Sequence, residues 1–286
     1  GGLRRSQLLI LAQVSGQDNA GARKSVLELT QQSPQDVGLK VVGGYFLLAR
    51  GDLATAGRLF GDALQADPRN VDALLGAAAG ELQAGRHEEA QKGFQRALAV
   101  EPKGERAYLG LASTALAQSD RAAAVQWLEK AISANPSAVE ARLQLADLMF
   151  KGGDAGKATA LIDQALAATK TRASTLDRAG QVLARASQFD AALQRFNEAA
   201  SLGDERAGVN AAMALASLGR SDDARVRLEA AVRGRPAWVA PNAMLVQLDI
   251  EQKRYDRALE RLADLEKAGG PPAIVDELRG DTLYAA

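Results

Sequence analysis

Apolar and polar residues follow one another along this chain with a helical period, and the pattern itself recurs. Alanines stand at Ala22, Ala56, Ala90, Ala124, Ala158, Ala192, Ala224 and Ala258, each 34 residues after the last except for one step of 32. Four residues after each comes a large apolar side chain: Val26, Phe60, Phe94, Leu128, Ile162, Phe196, Leu228 and Leu262. Three further on stand Leu29, Ala63, Ala97, Ala131, Ala165, Ala199, Ala231 and Leu265. Offsets of 0, 4 and 7 trace one stripe of an α-helix, small residues letting a neighbouring helix approach and large ones filling the space beside it.

Turn signals bracket that helix. Upstream lie Arg50-Gly51-Asp52, Ala84-Gly85-Arg86, Gly152-Gly153-Asp154 and Leu218-Gly219-Arg220, where glycine supplies a left-handed residue and a polar neighbour can cap the next helix. Downstream, Pro34, Pro68, Pro102 and Pro136 recur every 34 residues and disfavour helix in the residue before them. Each repeat is therefore helix, turn, helix, turn. The repeats run 3–36, 37–70, 71–104, 105–138, 139–172, 173–204, 205–238 and 239–272, with a partial repeat at 273–286. A single array over 1–286 is expected. No capping helix is visible at either end, so the sequence reads as a fragment of a longer protein whose uncapped ends would self-associate weakly end to end.

Composition narrows the chemistry. The chain has 286 residues, 47% of them hydrophobic but only 4% aromatic, which suits closely packed helices. With no cysteine, disulfides, thiolate nucleophiles and Cys-based zinc sites are excluded. His87 is the one histidine, too few for a multi-His metal site, and its place at the start of a second helix marks it as a half-buried turn residue. Thirty-five basic and 35 acidic side chains leave no surplus for neutralising phosphates, so no nucleic-acid partner is expected. No apolar run reaches the length of a membrane span. Glu88-Glu89 and Asp222-Asp223 open helices, where negative charge suits the dipole. No catalytic, metal or cofactor-binding residues emerge, and an enzyme is not expected.

With its repeat length, a small residue at repeat position 8, Ala at 20, a bulky residue at 24, Ala at 27 and Pro at 32, the chain resembles the tetratricopeptide repeat (TPR) family. Openings such as Asp52-Leu53-Ala54-Thr55-Ala56, Arg86-His87-Glu88-Glu89-Ala90 and Arg254-Tyr255-Asp256-Arg257-Ala258 carry the same likeness. The resemblance implies an all-α, right-handed α-solenoid of stacked helix-turn-helix units. It also implies that positions 2, 5, 9 and 12 of each first helix line a groove for a peptide or partner protein. Along positions 5, 9 and 12 that groove reads Val41, Tyr45, Leu48; Leu75, Ala79, Leu82; Leu109, Ser113, Leu116; Leu143, Asp147, Phe150; then Asp177, Gln181, Ala184, with Arg178 and Arg185 alongside. It is expected to be apolar over the repeats at 37–70, 71–104 and 105–138 and polar or charged from the repeat at 139–172 onward. The leucines have a second reading, burial between successive repeats. Family members that grip a chaperone's C-terminal carboxylate use Lys at position 5 and Asn at position 9. This chain has Gln7 and Leu11, Val41 and Tyr45, Leu75 and Ala79 there, so that clamp is absent.

These observations make a non-catalytic protein-interaction scaffold the leading expectation. Leu-Ala-x-Gly-Asp style units, alanine richness and a preference for Arg over Lys are similar to bacterial TPR proteins, among them PEP-CTERM/exosortase-associated and exopolysaccharide-secretion proteins, which implies a periplasmic role in polymer export or protein sorting. The alternative is a regulatory or substrate-recruiting arm of a larger enzyme whose catalytic domain lies outside this sequence.

Overall fold

The computed structural model describes residues 19–170 and 172–286. The expected first helix of repeat 3–36, with Gln7 and Leu11, lies outside the described residues, as does the side chain of Ala22. Among the described residues sixteen helices follow one another without a strand. They are α1 (Asn19–Gln32), α2 (Val37–Leu48), α3 (Leu53–Ala66), α4 (Val71–Gln83), α5 (His87–Val100), α6 (Glu105–Ala117), α7 (Arg121–Ala134) and α8 (Val139–Lys151). After these come α9 (Ala155–Ala168), α10 (Arg172–Arg185), α11 (Phe189–Ser201), α12 (Glu205–Ser217), α13 (Ser221–Gly234), α14 (Val239–Glu251), α15 (Tyr255–Lys267) and α16 (Pro272–Ala285). The fold is an α-solenoid of helix pairs.

Two kinds of turn join the helices. Between the first and second helix of a repeat, the chain closes a backbone bond from one residue to the carbonyl five back, as from Asp52 to Leu47, Asp120 to Ala115 and Arg254 to Asp249. That bond needs a left-handed residue just before its donor. Gly51, Gly85, Gly153 and Gly219 take the place, but so do Ser119, Ser187 and Lys253, with φ of 62°, 58° and 56°. Geometry is kept there although the glycine signal is missing. Between repeats, proline takes the second place of a four-residue turn whose last N–H donates to the first carbonyl, as in Asp36 to Ser33, Asn70 to Asp67 and Trp238 to Arg235. In repeats 173–204 and 239–272, which lack that proline, Gly203 and Gly269 at φ 91° and 89° make the exit. Asp36, Asp52, Asn70, Asp120, Asp154 and Asp204 cap the helices that follow, each accepting a backbone N–H from three residues on.

The predicted stripe is the core. From Val26 through Leu262, every large residue of that column is at most 4% exposed, and Ala56, Ala90, Ala124, Ala158, Ala192, Ala224 and Ala258 are buried. The rings exchange volume with glycine. A Cβ on Gly76 would stand 2.3 Å from Phe60 Cε1 and Cζ, one on Gly110 2.3 Å from Phe94 Cε1, and one on Gly180 2.5 Å from Phe196 Cε1.

The chain forms two compact bodies, to Ala141 and from Arg142. In the first, α2, α4 and α6 pair with α3, α5 and α7, while α2 also meets α4 and α4 meets α6. In the second, α10, α12 and α14 pair with α11, α13 and α15, α10 touches α12, and α14 touches α16. A buried ion cluster fixes the last pairs: Asp249, fully buried on α14, lies 2.6 Å from Arg225 of α13 and 3.5 Å from Arg261 of α15. Arg225 also donates to Gln252 Oε1 at 2.8 Å.

Candidate partner-binding surface

All the candidate groove residues sit on first helices, and the structure divides them by depth. In the N-terminal body Val41, Leu48 and Leu75 are buried and belong to the core where first helices meet. Leu82 and Leu109 are half-buried, and Leu116 is 41% exposed. Of the predicted apolar stripe, Leu116 is therefore the side chain most open to a partner in this body.

Tyr45 does something else. Its ring meets Phe60 edge-on, with centroids 5.2 Å apart. Its hydroxyl donates to the Asp72 carbonyl at 2.9 Å and accepts from Arg106 Nη2 at 2.8 Å. Arg106 also pairs with the Asp72 carboxylate. One tyrosine thus ties α2, α4 and α6 together. Burial pushes its hydroxyl pKa up, and the neighbouring Arg106 charge offsets this only in part. Beside the cluster a cavity of about 320 Å³ opens between α4 and α6, with Asp72, Leu75, Glu101, Lys103 and Arg106 in its wall.

In the C-terminal body Leu143 is core and Phe150 half-buried. Asp147 is held by Lys151 and by Arg185, both at 2.8 Å. Burial raises its pKa, but hydrogen bonds and charge from those two cations win and hold the carboxyl below its ordinary value. Asp177 is buried and accepts from Gln181 Nε2 at 2.8 Å and from Asn210 Nδ2 of α12 at 2.7 Å. Arg178 donates to Gln181 Oε1 at 3.3 Å. Asp177, Arg178 and Gln181 line a pocket of about 950 Å³ between α10 and α12, whose wall also holds Arg172, Leu202, Arg206 and Arg235, whereas Asp147, Arg185 and Asn210 lie outside it. The pocket brings Asp177 and Gln181 together.

Sequence reasoning missed Asp72, Arg106 and Arg206, although all three occupy position 2 of their repeats, on the predicted stripe. Reading that column beside the other three would have found them. Asn210 stands at position 6 and had no such signal. His87 opens α5 and is half-buried. Trp127 packs beside Tyr108, with Lys130 Nζ 4.1 Å from its ring centroid. Among the described residues no acidic or imidazole cluster is placed to hold a metal, and no helix is long and apolar enough to cross a membrane.

Comparison with known proteins agrees with this architecture. A family model described as tetratricopeptide repeat matches residues 47–114 and 115–176. No curated protein matches the sequence. Among solved structures the chain is similar to yeast Tom70, at 17% identity and TM-score 0.70 over 94% of this chain and 59% of that one. A tetratricopeptide repeat protein from Parabacteroides merdae ATCC 43184 is similar at 18% identity and TM-score 0.53, over 87% of this chain and 99% of that one. A thermophilic TPR protein from Thermus thermophilus matches at 24% identity and TM-score 0.51, over 63% of this chain and 98% of that one. At these identities the likeness is one of fold.

Proposed function

This chain carries tetratricopeptide repeats, and from that premise we propose that it is a non-catalytic scaffold holding a peptide or partner protein against its first helices. The observation that carries the reading is the pocket of about 950 Å³ on α10 and α12, walled by Asp177, Gln181 and several guanidinium groups. Asp177, Arg178, Gln181 and Arg235 in its wall are held by neighbours before any partner arrives, and a preformed surface loses little ordering entropy on binding. Exposed apolar side chains on a first helix of each body, Leu116 at 41% and Met213 at 53%, add points of contact. A narrower proposal, a periplasmic role in bacterial exopolysaccharide export or protein sorting, draws its support from the alanine-rich, Arg-preferring repeats and the absence of cysteine.

Site-specific photocrosslinking tests the reading. A photoreactive phenylalanine is placed at Leu116, at Met213 or, as control, at Gln95, which is exposed on second helix α5. Extracts of the source cell should give the same crosslinked partner from Leu116 and Met213 and none from Gln95. Capture from Gln95 alone, or equally from all three, refutes binding against the first helices.

A further inference from the structure

The second body contains a place where a repeat has lost a side chain that other repeats use. Position 4 of the first helix ordinarily fills the seam between the two helices of its repeat. Leu74, Arg142, Leu176 and Asn242 stand there, at most 8% exposed, and Tyr108 is half-buried. In repeat 205–238 the residue is Gly208, and nothing lies within 4 Å of where its Cβ would be. The consequence is visible across the seam. Ala63, Ala97, Ala131, Ala165 and Ala199 are fully buried by their repeats, whereas the equivalent Ala231 is left partly open.

What remains is a socket of about 390 Å³ lined by Gly208, Arg227, Ala230, Ala231, Gly234 and Trp238. Repeat 105–138 shows what such a place accommodates. There Tyr108 lies beside Trp127, ring centroids 6.4 Å apart, and its hydroxyl donates to the Pro102 carbonyl at 3.2 Å. Trp127 occupies the repeat position that Arg227 takes in the socket. The seam therefore has open space at the place where repeat 105–138 sets an aromatic side chain, and Trp238 and alanine methyls offer the apolar wall such a ring prefers.

Charge selects the neighbours of that ring. Arg235 stands at the mouth, its guanidinium 4.9 Å from the Trp238 ring and its Nη1 3.2 Å from Glu205. The same two residues border the larger pocket on α10 and α12, where Arg172, Arg178 and Arg206 stand. Across the two pockets Arg172, Arg178, Arg206, Arg227 and Arg235 outnumber Asp177, Asp204 and Glu205, so the balance of charge around the mouth is positive.

We propose that the socket receives a Phe or Tyr side chain from an acidic segment of a partner protein, the ring entering beside Trp238 and the flanking carboxylates meeting Arg235 and the arginines beyond it. This site lies on the seam of α12 and α13 and shares Glu205 and Arg235 with the larger pocket. The Phe preference that tests it is read apart from the crosslinks at Leu116 and Met213, so a failed crosslink leaves the socket standing and loss of that preference leaves the first-helix reading untouched.

The test uses two labelled peptides of Asp and Glu, one with a single central Phe and one with Ala in its place, titrated by fluorescence anisotropy. The Phe peptide should bind at least about tenfold more tightly, the return for burying one ring. Gly208→Leu puts into the seam the residue that repeats 71–104 and 173–204 carry there. It should keep the helix content and erase the preference for Phe, leaving both peptides alike. Ala230→Leu fills the socket from α13 and should do the same, which keeps the test intact should either variant lose structure. Arg206→Glu should weaken both peptides by a similar factor. Equal binding of the two peptides to the unaltered protein, or an undiminished Phe preference in a folded socket-filled variant, overturns the proposal.

Discussion

Gly76→Ala should destabilise this protein although alanine is the better helix former. In an open helix the change stabilises by about 1 kcal/mol. Here the new Cβ would stand 2.3 Å from two carbons of Phe60, where ordinary contact needs more than 3.4 Å. The ring has no room to retreat: it is fully buried, a Cβ on Gly44 of α2 would stand only 2.7 Å from it, and Tyr45 lies edge-on against it. Overpacking of a rigid site costs about 1–3 kcal/mol. We place this case near the top of that range, which leaves a net loss of about 2 kcal/mol after the propensity gain. Phe60→Leu shortens the ring side chain and frees the space. In that background Gly76→Ala should turn stabilising, a coupling of about 2–3 kcal/mol between the two positions. Urea unfolding followed by circular dichroism on the four proteins of the cycle measures it. Gly61→Ala on α3 is the control, since nothing lies within 4 Å of its Cβ. It should raise stability whichever residue stands at 60. If Gly76→Ala and Gly61→Ala move the midpoint in the same direction, the volume exchange between Phe and Gly is not what sets helix spacing here.

Asp249→Ala should cost about 3–5 kcal/mol, because it strands Arg225 with its charge buried, and thermal unfolding reads the loss directly. Ser119→Gly, Ser187→Gly and Lys253→Gly should each stabilise by about 0.5–1 kcal/mol, since each relieves a left-handed residue; Gly85→Ala should do the reverse, both by chemical denaturation. Asp147 has a depressed folded-state pKa, so its contribution is present above the unfolded carboxyl pKa and is lost as pH falls through the folded one. The drop in urea midpoint between neutral and acid pH should therefore be smaller in Asp147→Asn than in the unaltered protein; an equal drop would show that Lys151 and Arg185 contribute nothing.

Much of this architecture could be read from the chain because repetition averages out local ambiguity. One alanine in a helix says little, whereas eight in phase set the stripe, and the buried columns follow it from Val26 to Leu262. The surface was harder. Positions 5 and 12 of successive first helices face the seam where α2 meets α4, so Val41, Leu48 and Leu75 are buried by neighbours that periodicity does not count. The ties from Tyr45 to Asp72 and Arg106 span 27 and 61 residues, and only stacking brings them together. The socket at Gly208 was hidden for another reason. A glycine in a helix reads as a packing residue, and whether it fills or vacates a seam depends on what stands opposite.

The contacts of Phe60 with Gly76 and of Phe94 with Gly110 also act as a grammar for splicing. Excising 71–104 would bring Phe60 against Gly110, and duplicating 71–104 would bring Phe94 against a second Gly76, so each seam still joins a ring to a glycine. Duplicating 105–138 would instead set Leu128 beside a second Gly110 and leave a void. Whole-repeat gain and loss is thus tolerated unequally along the chain, and an array of this kind can change length most readily where its large and small partners are spelled the same way twice.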